Sequence, residues 1–261
     1  MRILASFLIA AGFAFAADQP EPSQAQIDEI IKKFAAHEAD FARAREAYIY
    51  HQTARVQELD DSGNTTGRWE IVSDILFNSD GKRSEHVVRA PVSTLNQISL
   101  SPEDMEDLKS VQPFVLTTAQ LPKYLIRFLG RQKVDEIDCY VFAVKPKKHE
   151  GTERYFQGEV WVDDRDLQIV KSYGRGVGSN KSTKEQQFPK FETYREQIDG
   201  KFWFPTYTIA NDTLHFKNPP LDVRIKQTVK YEDYKRFKAD TSITFGETVD
   251  EKKTPPPVKK P

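Results

Sequence analysis

Cysteine is nearly absent from this chain of 261 residues, in which Cys139 is the only example. One cysteine cannot form an internal disulfide bond, so the folded protein has to be stabilised by its hydrophobic core. An excess of charge of one sign is also lacking, because 38 basic and 39 acidic side chains give a net charge of −1 at pH 7. This balance provides no long-range attraction to a polyanion, and we expect no nucleic-acid partner.

Recognisable catalytic and metal-binding motifs are lacking too. None of the five histidines stands at a metal-ligand spacing from another histidine or from Cys139, and no Gly-x-Ser-x-Gly nucleophile motif is present. The acidic residues Asp163, Asp164 and Asp166 suit a hairpin turn better than a calcium loop or a catalytic carboxylate pair. The glycine-rich stretch 174–178 precedes a polar segment and not a helix start, so it indicates a mobile loop without bound phosphate. We therefore predict no metal, no cofactor and no enzymatic activity, and a hydrolase is the least favoured alternative.

Only one apolar run is long, and it lies at the N-terminus. It covers residues 3–13, follows the single positive charge of Arg2, and precedes the small residues Ala14 and Ala16. This pattern predicts a signal peptide over residues 1–16. A permanent membrane helix is the alternative, but polar residues begin at Asp18. We expect export into a bacterial periplasm, with no integral membrane segment after cleavage.

The remaining chain predicts one domain with a short region on either side. Residues 17–23 are expected to form a linker, residues 24–238 the domain, and residues 239–261 a disordered tail rich in proline and lysine. Ser23 and Gln26 form a capping-box pattern, and apolar residues then recur at helical spacing. This start predicts an amphipathic helix over residues 24–47.

Alternation of apolar and polar residues begins at Tyr48 and predicts a series of antiparallel strands. Asp80-Gly81 and Asp199-Gly200 are typical of hairpin turns, and we expect a tight two-residue turn at the second pair. Pro91 is expected to end the third strand. The predicted strands cover residues 48–56, 68–77, 83–90, 124–132, 139–145, 155–162, 167–173, 191–198, 201–208 and 222–237.

A helical insertion interrupts the strands in the middle of the chain. Ser101 and Pro102 form a helix start with acidic residues behind them, and residues 112–122 are apolar and irregular. Many sequential antiparallel strands with one long helix favour an α+β, mainly β fold. We expect a barrel or half-barrel with the helix in its mouth or on its concave face.

Three segments carry motifs that recur together in one known family. They are EIDCYVFAVKPKK at residues 136–148, VWVDDRDLQIVK at residues 160–171 and IDGKFWFPTYT at residues 198–208. In this order, after a signal peptide, a helix and a mid-chain insert, they resemble the bacterial outer-membrane lipoprotein-sorting (LolA/LolB-like) superfamily. The resemblance covers residues 24–237. It implies a single unclosed antiparallel β-barrel, or half-barrel, whose apolar concave face is closed by a helical lid.

The resemblance also implies a function, because members of that superfamily carry lipoproteins or bind other amphiphiles. We expect a monomeric periplasmic carrier or chaperone whose ligands are lipoprotein acyl chains or lipid. The alternative is a non-catalytic envelope sensor or structural interaction module that docks on an envelope protein. The sequence leaves both roles open, as well as the identity of the ligand.

Inward-facing aromatic residues on curved strands are expected to form the cavity wall, and apolar residues of the insertion the lid. For each of them an ordinary place in the core is the alternative. The superfamily has an arginine beside a proline at the end of an early strand that helps to hold the lid, and Arg89 stands in a comparable place, although Ala90 separates it from Pro91. The expected wall residues are Tyr50, Trp69, Phe128, Trp161 and Trp203, and the expected lid residues are Met105, Leu108, Phe114 and Leu116, with Arg89.

Overall fold

The computed structural model describes residues 21–78, 81–178, 187–217 and 219–237. The predicted signal peptide, most of the predicted linker, Asp80 of one predicted turn and the predicted C-terminal tail lie outside these ranges.

Ten strands and two α-helices make up the described part of the chain, with short π-helical and 3-10 turns in the insertion. The helices are α1 (Gln24–Arg45) and α2 (Pro102–Glu106); the π-helical turn is Asp107–Val111, and the 3-10 turn is Leu121–Lys123. The strands are β1 (Tyr48–Leu59), β2 (Thr65–Phe77), β3 (Arg83–Ser93), β4 (Tyr124–Val134), β5 (Ile137–Pro146), β6 (Tyr155–Asp163), β7 (Ile169–Val177), β8 (Phe191–Gln197), β9 (Trp203–Lys217) and β10 (Pro220–Arg236).

All ten strands belong to one antiparallel sheet, in the order β3-β2-β1-β10-β9-β8-β7-β6-β5-β4. β3 and β4 stand at opposite ends of this order, so the sheet is not closed into a barrel. The predicted fold class is therefore confirmed, as a mainly β half-barrel with an N-terminal helix and a short helical insertion.

The start of α1 follows the predicted capping box. The Ser23 hydroxyl accepts a hydrogen bond from the Gln26 N–H, and the Gln26 side chain accepts one from the Ser23 N–H. Both bonds satisfy N–H groups that have no partner within the helix. The helix ends at Arg45, two residues before the predicted end.

Three local predictions are wrong. Pro91 does not end β3, which continues to Ser93. The strand lies at the sheet edge and has a bulge between Arg89 and Val92, where the N–H that proline lacks is not needed for a hydrogen bond to β2. Asp199-Gly200 does not form a two-residue turn, since the pair Gln197–Trp203 closes a longer loop around the Asp199 carboxylate. Residues 174–177 belong to β7 and do not form a loop.

Two segments cover one face of the sheet, which we call the concave face. α1 packs Phe34 and Ala35, both 0% exposed, against a cluster that includes Phe142 and Val160. The long connection between β3 and β4 packs Leu108 against a second cluster on β1, β2 and β10. The core therefore lies between the sheet and these two segments.

Candidate functional site

The connection between β3 and β4, residues 94–123, joins the two edges of the sheet. Because β3 and β4 are at opposite ends of the strand order, this connection has to cross the sheet. It does so over the concave face, where its apolar side chains enter both core clusters. We call residues 94–123 the lid segment.

Glu58 provides the first polar anchor of the lid segment. Its carboxylate is 0% exposed and lies on β1. It accepts hydrogen bonds from three successive backbone N–H groups, at 2.9 Å from Asn96, 2.7 Å from Gln97 and 2.9 Å from Ile98. A buried carboxylate with three charge-assisted hydrogen bonds fixes the beginning of the lid segment to the sheet.

A buried ion pair provides the second anchor. Asp107 begins the π-helical turn, and its two carboxylate oxygens accept hydrogen bonds from Arg154 Nε at 2.8 Å and Nη2 at 2.6 Å. The two side chains are 8% and 1% exposed. Burial raises the pKa of the Asp107 carboxyl to about 6, and the hydrogen bonds from Arg154 oppose this rise only in part.

Gly176 makes room for this ion pair. A Cβ atom at position 176 would lie 1.9 Å from Asp107 Oδ2, so a larger residue there would displace the carboxylate. Glycine is therefore required at position 176 of β7 because the lid segment approaches the sheet closely there.

β8 provides the third anchor through two residues on its concave side. Thr193 Oγ1 donates a hydrogen bond to the Gln112 carbonyl oxygen at 2.9 Å, and Arg195 Nη2 donates one to the Phe114 carbonyl oxygen. Arg195 Nη1 also contacts both carboxylate oxygens of Glu38 on α1, at 3.1 and 3.2 Å. One arginine of the sheet therefore holds both the helix and the lid segment.

Two cavities lie on either side of the π-helical turn. The first has a volume of about 720 Å³, and we call it the arginine cavity; its lining includes Arg45, Tyr50, Arg83, Lys109, Phe114 and Arg154. The second has a volume of about 520 Å³, and we call it the apolar cavity; its lining includes Val56, Leu100, Leu108, Leu214, Phe216 and Ile225. Residues Lys109 and Val111 of the turn face the first cavity, whereas Asp107 and Leu108 face the second.

Buried polar atoms that have no hydrogen-bond partner among the described residues belong to the side chains around both cavities. They are the Nε atoms of Arg45 and Arg83 and Nη1 of Arg154, which belong to residues of the arginine-cavity lining, and Gln112 Oε1 and Gln227 Nε2, which belong to residues of the apolar-cavity lining. An unpaired buried donor or acceptor is costly, so such atoms are rare in folded proteins. Their position around the cavities indicates groups that are available to a ligand.

The structure brings some of the predicted site residues to these cavities. Tyr50 and Phe114 line the arginine cavity, and Leu108 lines the apolar cavity. Trp69 and Met105 belong to the core cluster beneath the lid segment, and Leu116 is 0% exposed in the cluster beneath α1. Phe128 packs at the border of that cluster, with its ring centroid 5.6 Å from that of Phe142.

Trp161 and Trp203 lie on the other face of the sheet. Val160 and Val162 enter the cluster beneath α1, so Trp161 between them points to the opposite side. There it packs near Trp203 and donates a hydrogen bond to Gln132, while Trp203 donates one to Asp166. Neither tryptophan lines the arginine cavity or the apolar cavity, so the expected place of both in the cavity wall is corrected.

Arg89 does not hold the lid segment. Its side chain is 68% exposed and pairs with Glu70 of β2 at 3.1 Å. Two other arginines, Arg154 and Arg195, contact the lid segment. Arg89 stands at the bulged sheet edge, where its side chain faces solvent.

The described residues contain no group of three or more His, Cys, Asp or Glu side chains that could hold a metal ion. None of the helices in the described ranges is long and apolar enough to cross a membrane.

No protein-family model and no curated protein matches the chain. Among solved structures, a DUF1329 family protein from Desulfovibrio piger is 14% identical, with a TM-score of 0.46 over 82% of this chain and 94% of that one. A LolA superfamily protein from Nitrosomonas europaea is 13% identical, with a TM-score of 0.37 over 80% and 93%. A domain described as an outer-membrane lipoprotein-sorting protein, from Vibrio parahaemolyticus, is 11% identical, with a TM-score of 0.35 over 82% and 95%.

The last two structures bear the name of the superfamily that the sequence motifs resemble, so that resemblance recurs among solved structures. At these identities and TM-scores the likeness assigns no ligand, partner or mechanism to the chain.

Proposed function

We propose that the protein binds the acyl chains of a lipid or lipoprotein on its concave face and acts as a carrier or chaperone for such amphiphiles. The observation that carries this proposal is the apolar cavity of about 520 Å³ between the lid segment and the sheet. The apolar N-terminal sequence supports a periplasmic location, where acylated proteins and lipids move between two membranes.

The physical basis is the burial of methylene groups. Both cavities fall within the range of about 300–1,000 Å³ that is usual for ligand sites. Each buried methylene contributes about 0.8 kcal/mol, so a chain with ten buried methylenes gains about 8 kcal/mol before the costs of binding. Aliphatic and aromatic side chains such as Leu108, Leu214 and Phe216 provide the matching surface.

The π-helical turn would have to move when a long ligand binds. It separates the two cavities, and the ion pair between Asp107 and Arg154 spans them, since Asp107 lines one and Arg154 the other. A ligand that fills both cavities passes beneath this turn. The lid segment then opens at the turn, while Glu58 at one end and β8 at the other keep it attached.

One observation favours the second candidate function, an envelope sensor or interaction module. The edge strand β3 exposes Val87, Val88 and Val92 at 42%, 53% and 69%. An unpaired strand edge with exposed apolar side chains is a template for an added strand of another protein. The partner in this case would be an envelope protein, and the concave face would have no ligand to release.

Native mass spectrometry of the exported protein, purified without detergent, separates the two functions. The carrier proposal predicts an added mass that organic extraction removes and that is identified as a lipid or lipopeptide. It also predicts that extracted protein regains such a mass from lipid vesicles or synthetic lipopeptides. Protein that remains free of ligand in both experiments would contradict the carrier function and favour the interaction module.

A further inference from the structure

The arginine cavity contains a cation, Arg45, that forms no direct ion pair with any described residue. Arg45 lies in the last turn of α1, with its guanidinium carbon 5.9 Å from the ring centroid of Phe41 and 5.2 Å from that of Phe77. Across the described ranges no carboxylate lies within ion-pair distance of it, and its Nε has no hydrogen-bond partner. Burial lowers the pKa of Arg45, and the carboxylate of Glu38, which pairs directly with Arg195, opposes this fall only in part.

A second guanidinium of this cavity also keeps a free donor. Arg83 at the start of β3 donates from Nη1 to Glu85 and from Nη2 to Gln52, each at 3.1 Å, and its Nε has no partner in the described part of the chain. Tyr50 lines the same cavity and its hydroxyl is hydrogen-bonded with Arg83; burial raises the pKa of this hydroxyl, so it stays protonated and keeps an O–H to donate. The cavity therefore presents several hydrogen-bond donors to a ligand. Among the described residues, no carboxylate lies close enough to Arg45 to form an ion pair with it.

The lining of the arginine cavity has more basic than acidic side chains. Its basic side chains are Arg45, Arg83, Lys109 and Arg154, and its acidic ones are Glu106 and Glu153. Most of these charges have partners outside the lining: Glu153 pairs with Lys123, Arg83 and Lys109 contact Glu85, and Arg154 pairs with Asp107. Arg45 is the basic side chain of the lining for which the described residues provide no direct ion pair. The ring contacts of Arg45 and its place at a helix C-terminus account for its orientation, but they leave its Nε donor unused.

We propose that the arginine cavity binds the anionic group of an acidic amphiphile, with Arg45 as its counter-ion and Arg83 and Tyr50 as additional donors. This inference rests on the proposed function, and it adds the chemical class of the head group: a carboxylate or a phosphate attached to an acyl chain. Guanidinium groups suit both, since their N–H groups pair with the oxygens of either anion. The apolar cavity then receives the chain.

The test compares two twelve-carbon probes that differ in the head group, dodecanoate and dodecan-1-ol, by calorimetric titration of protein from which bound lipid has been extracted. Wild-type protein is expected to bind dodecanoate about tenfold more tightly than the alcohol, as a charge-assisted contact implies. Arg45→Gln is expected to remove this preference by weakening dodecanoate binding about tenfold, while alcohol binding stays unchanged. Arg45→Lys, which keeps the charge, is expected to retain part of the preference.

Arg43→Gln is the matched control, because Arg43 lies on the same helix with its side chain 70% exposed and should leave both affinities unchanged. Equal wild-type affinity for both probes, or an equal loss of both in Arg45→Gln, would overturn the inference and leave the carrier function in place. Binding of neither probe would contradict the carrier function itself. Vesicles of phosphatidylglycerol compared with free dodecanoate then distinguish a phosphate source from a carboxylate source.

Discussion

Glu38→Ala is expected to lower the free energy of unfolding by about 3–5 kcal/mol, because it leaves the buried Arg195 guanidinium without its counter-charge. The two side chains are 0% and 2% exposed and contact at 3.1 Å. Glu38 also accepts a hydrogen bond from the Ile169 N–H at 3.1 Å, so the substitution removes a partner from β7 as well. Burial raises the pKa of Glu38, and Arg195 opposes that rise, so the pair is the main reason that a carboxylate is tolerated at this position.

Urea unfolding followed by circular dichroism measures this loss, with Glu29→Ala as the matched control. Glu29 lies on the same helix and pairs with Lys33 at 3.4 Å, but both side chains are more than half exposed. Its removal should change the stability by less than about 1 kcal/mol. In the double variant with Arg195→Ala, the loss should be smaller than the sum of the single losses. A Glu38→Ala variant as stable as Glu29→Ala would contradict this account of how α1 is held.

The second large effect is expected when a reducible disulfide bond cross-links the lid segment to the sheet. A Cβ atom at Gly176 would lie 2.4 Å from Asp107 Cγ, so the two positions are adjacent. The double variant Asp107→Cys, Gly176→Cys should form a disulfide that ties the π-helical turn to β7. If ligands enter beneath this turn, the oxidised protein should take up dodecanoate about tenfold or more slowly than the reduced protein.

The reduced double variant is the control for the oxidised one, since both lack the Asp107 carboxylate and differ only in the cross-link. The native Cys139 is buried, and burial raises the pKa of its thiol to about 12, so it should stay out of thiol exchange. Stopped-flow fluorescence with a labelled acyl probe measures the uptake. Equal rates in the two states would mean that ligands do not pass beneath the turn.

The strands and α1 were predictable from the sequence because their signals are local. Each of the ten strands overlaps a segment that the sequence predicts as a strand, and Ser23 with Gln26 marks the start of α1. The face of a strand was harder to predict where both faces are apolar. Residues 160–162 are buried without interruption, so the pattern alone could not show that Trp161 points away from the concave face.

The buried charges that hold α1 and the lid segment on the sheet were missed for a different reason. Glu38 stands between Phe34 and Phe41 in the apolar stripe of α1, and Arg195 follows Phe191 and Thr193 on one side of β8. A charged residue on a buried face indicates a buried partner, and this signal was present in the sequence. The partner itself depends on which strands lie beneath the helix, and local patterns contain no information on that order.

The most direct test of acyl-chain binding on the concave face is photochemical mapping of the bound ligand. Dodecanoate with a diazirine near its methyl end is bound to the extracted protein, irradiated, and located by peptide mass spectrometry. The account predicts labels on residues that line the apolar cavity, such as Leu108, Leu214 and Ile225. Labels confined to the exposed valines of β3 would contradict it and place the apolar ligand at the sheet edge.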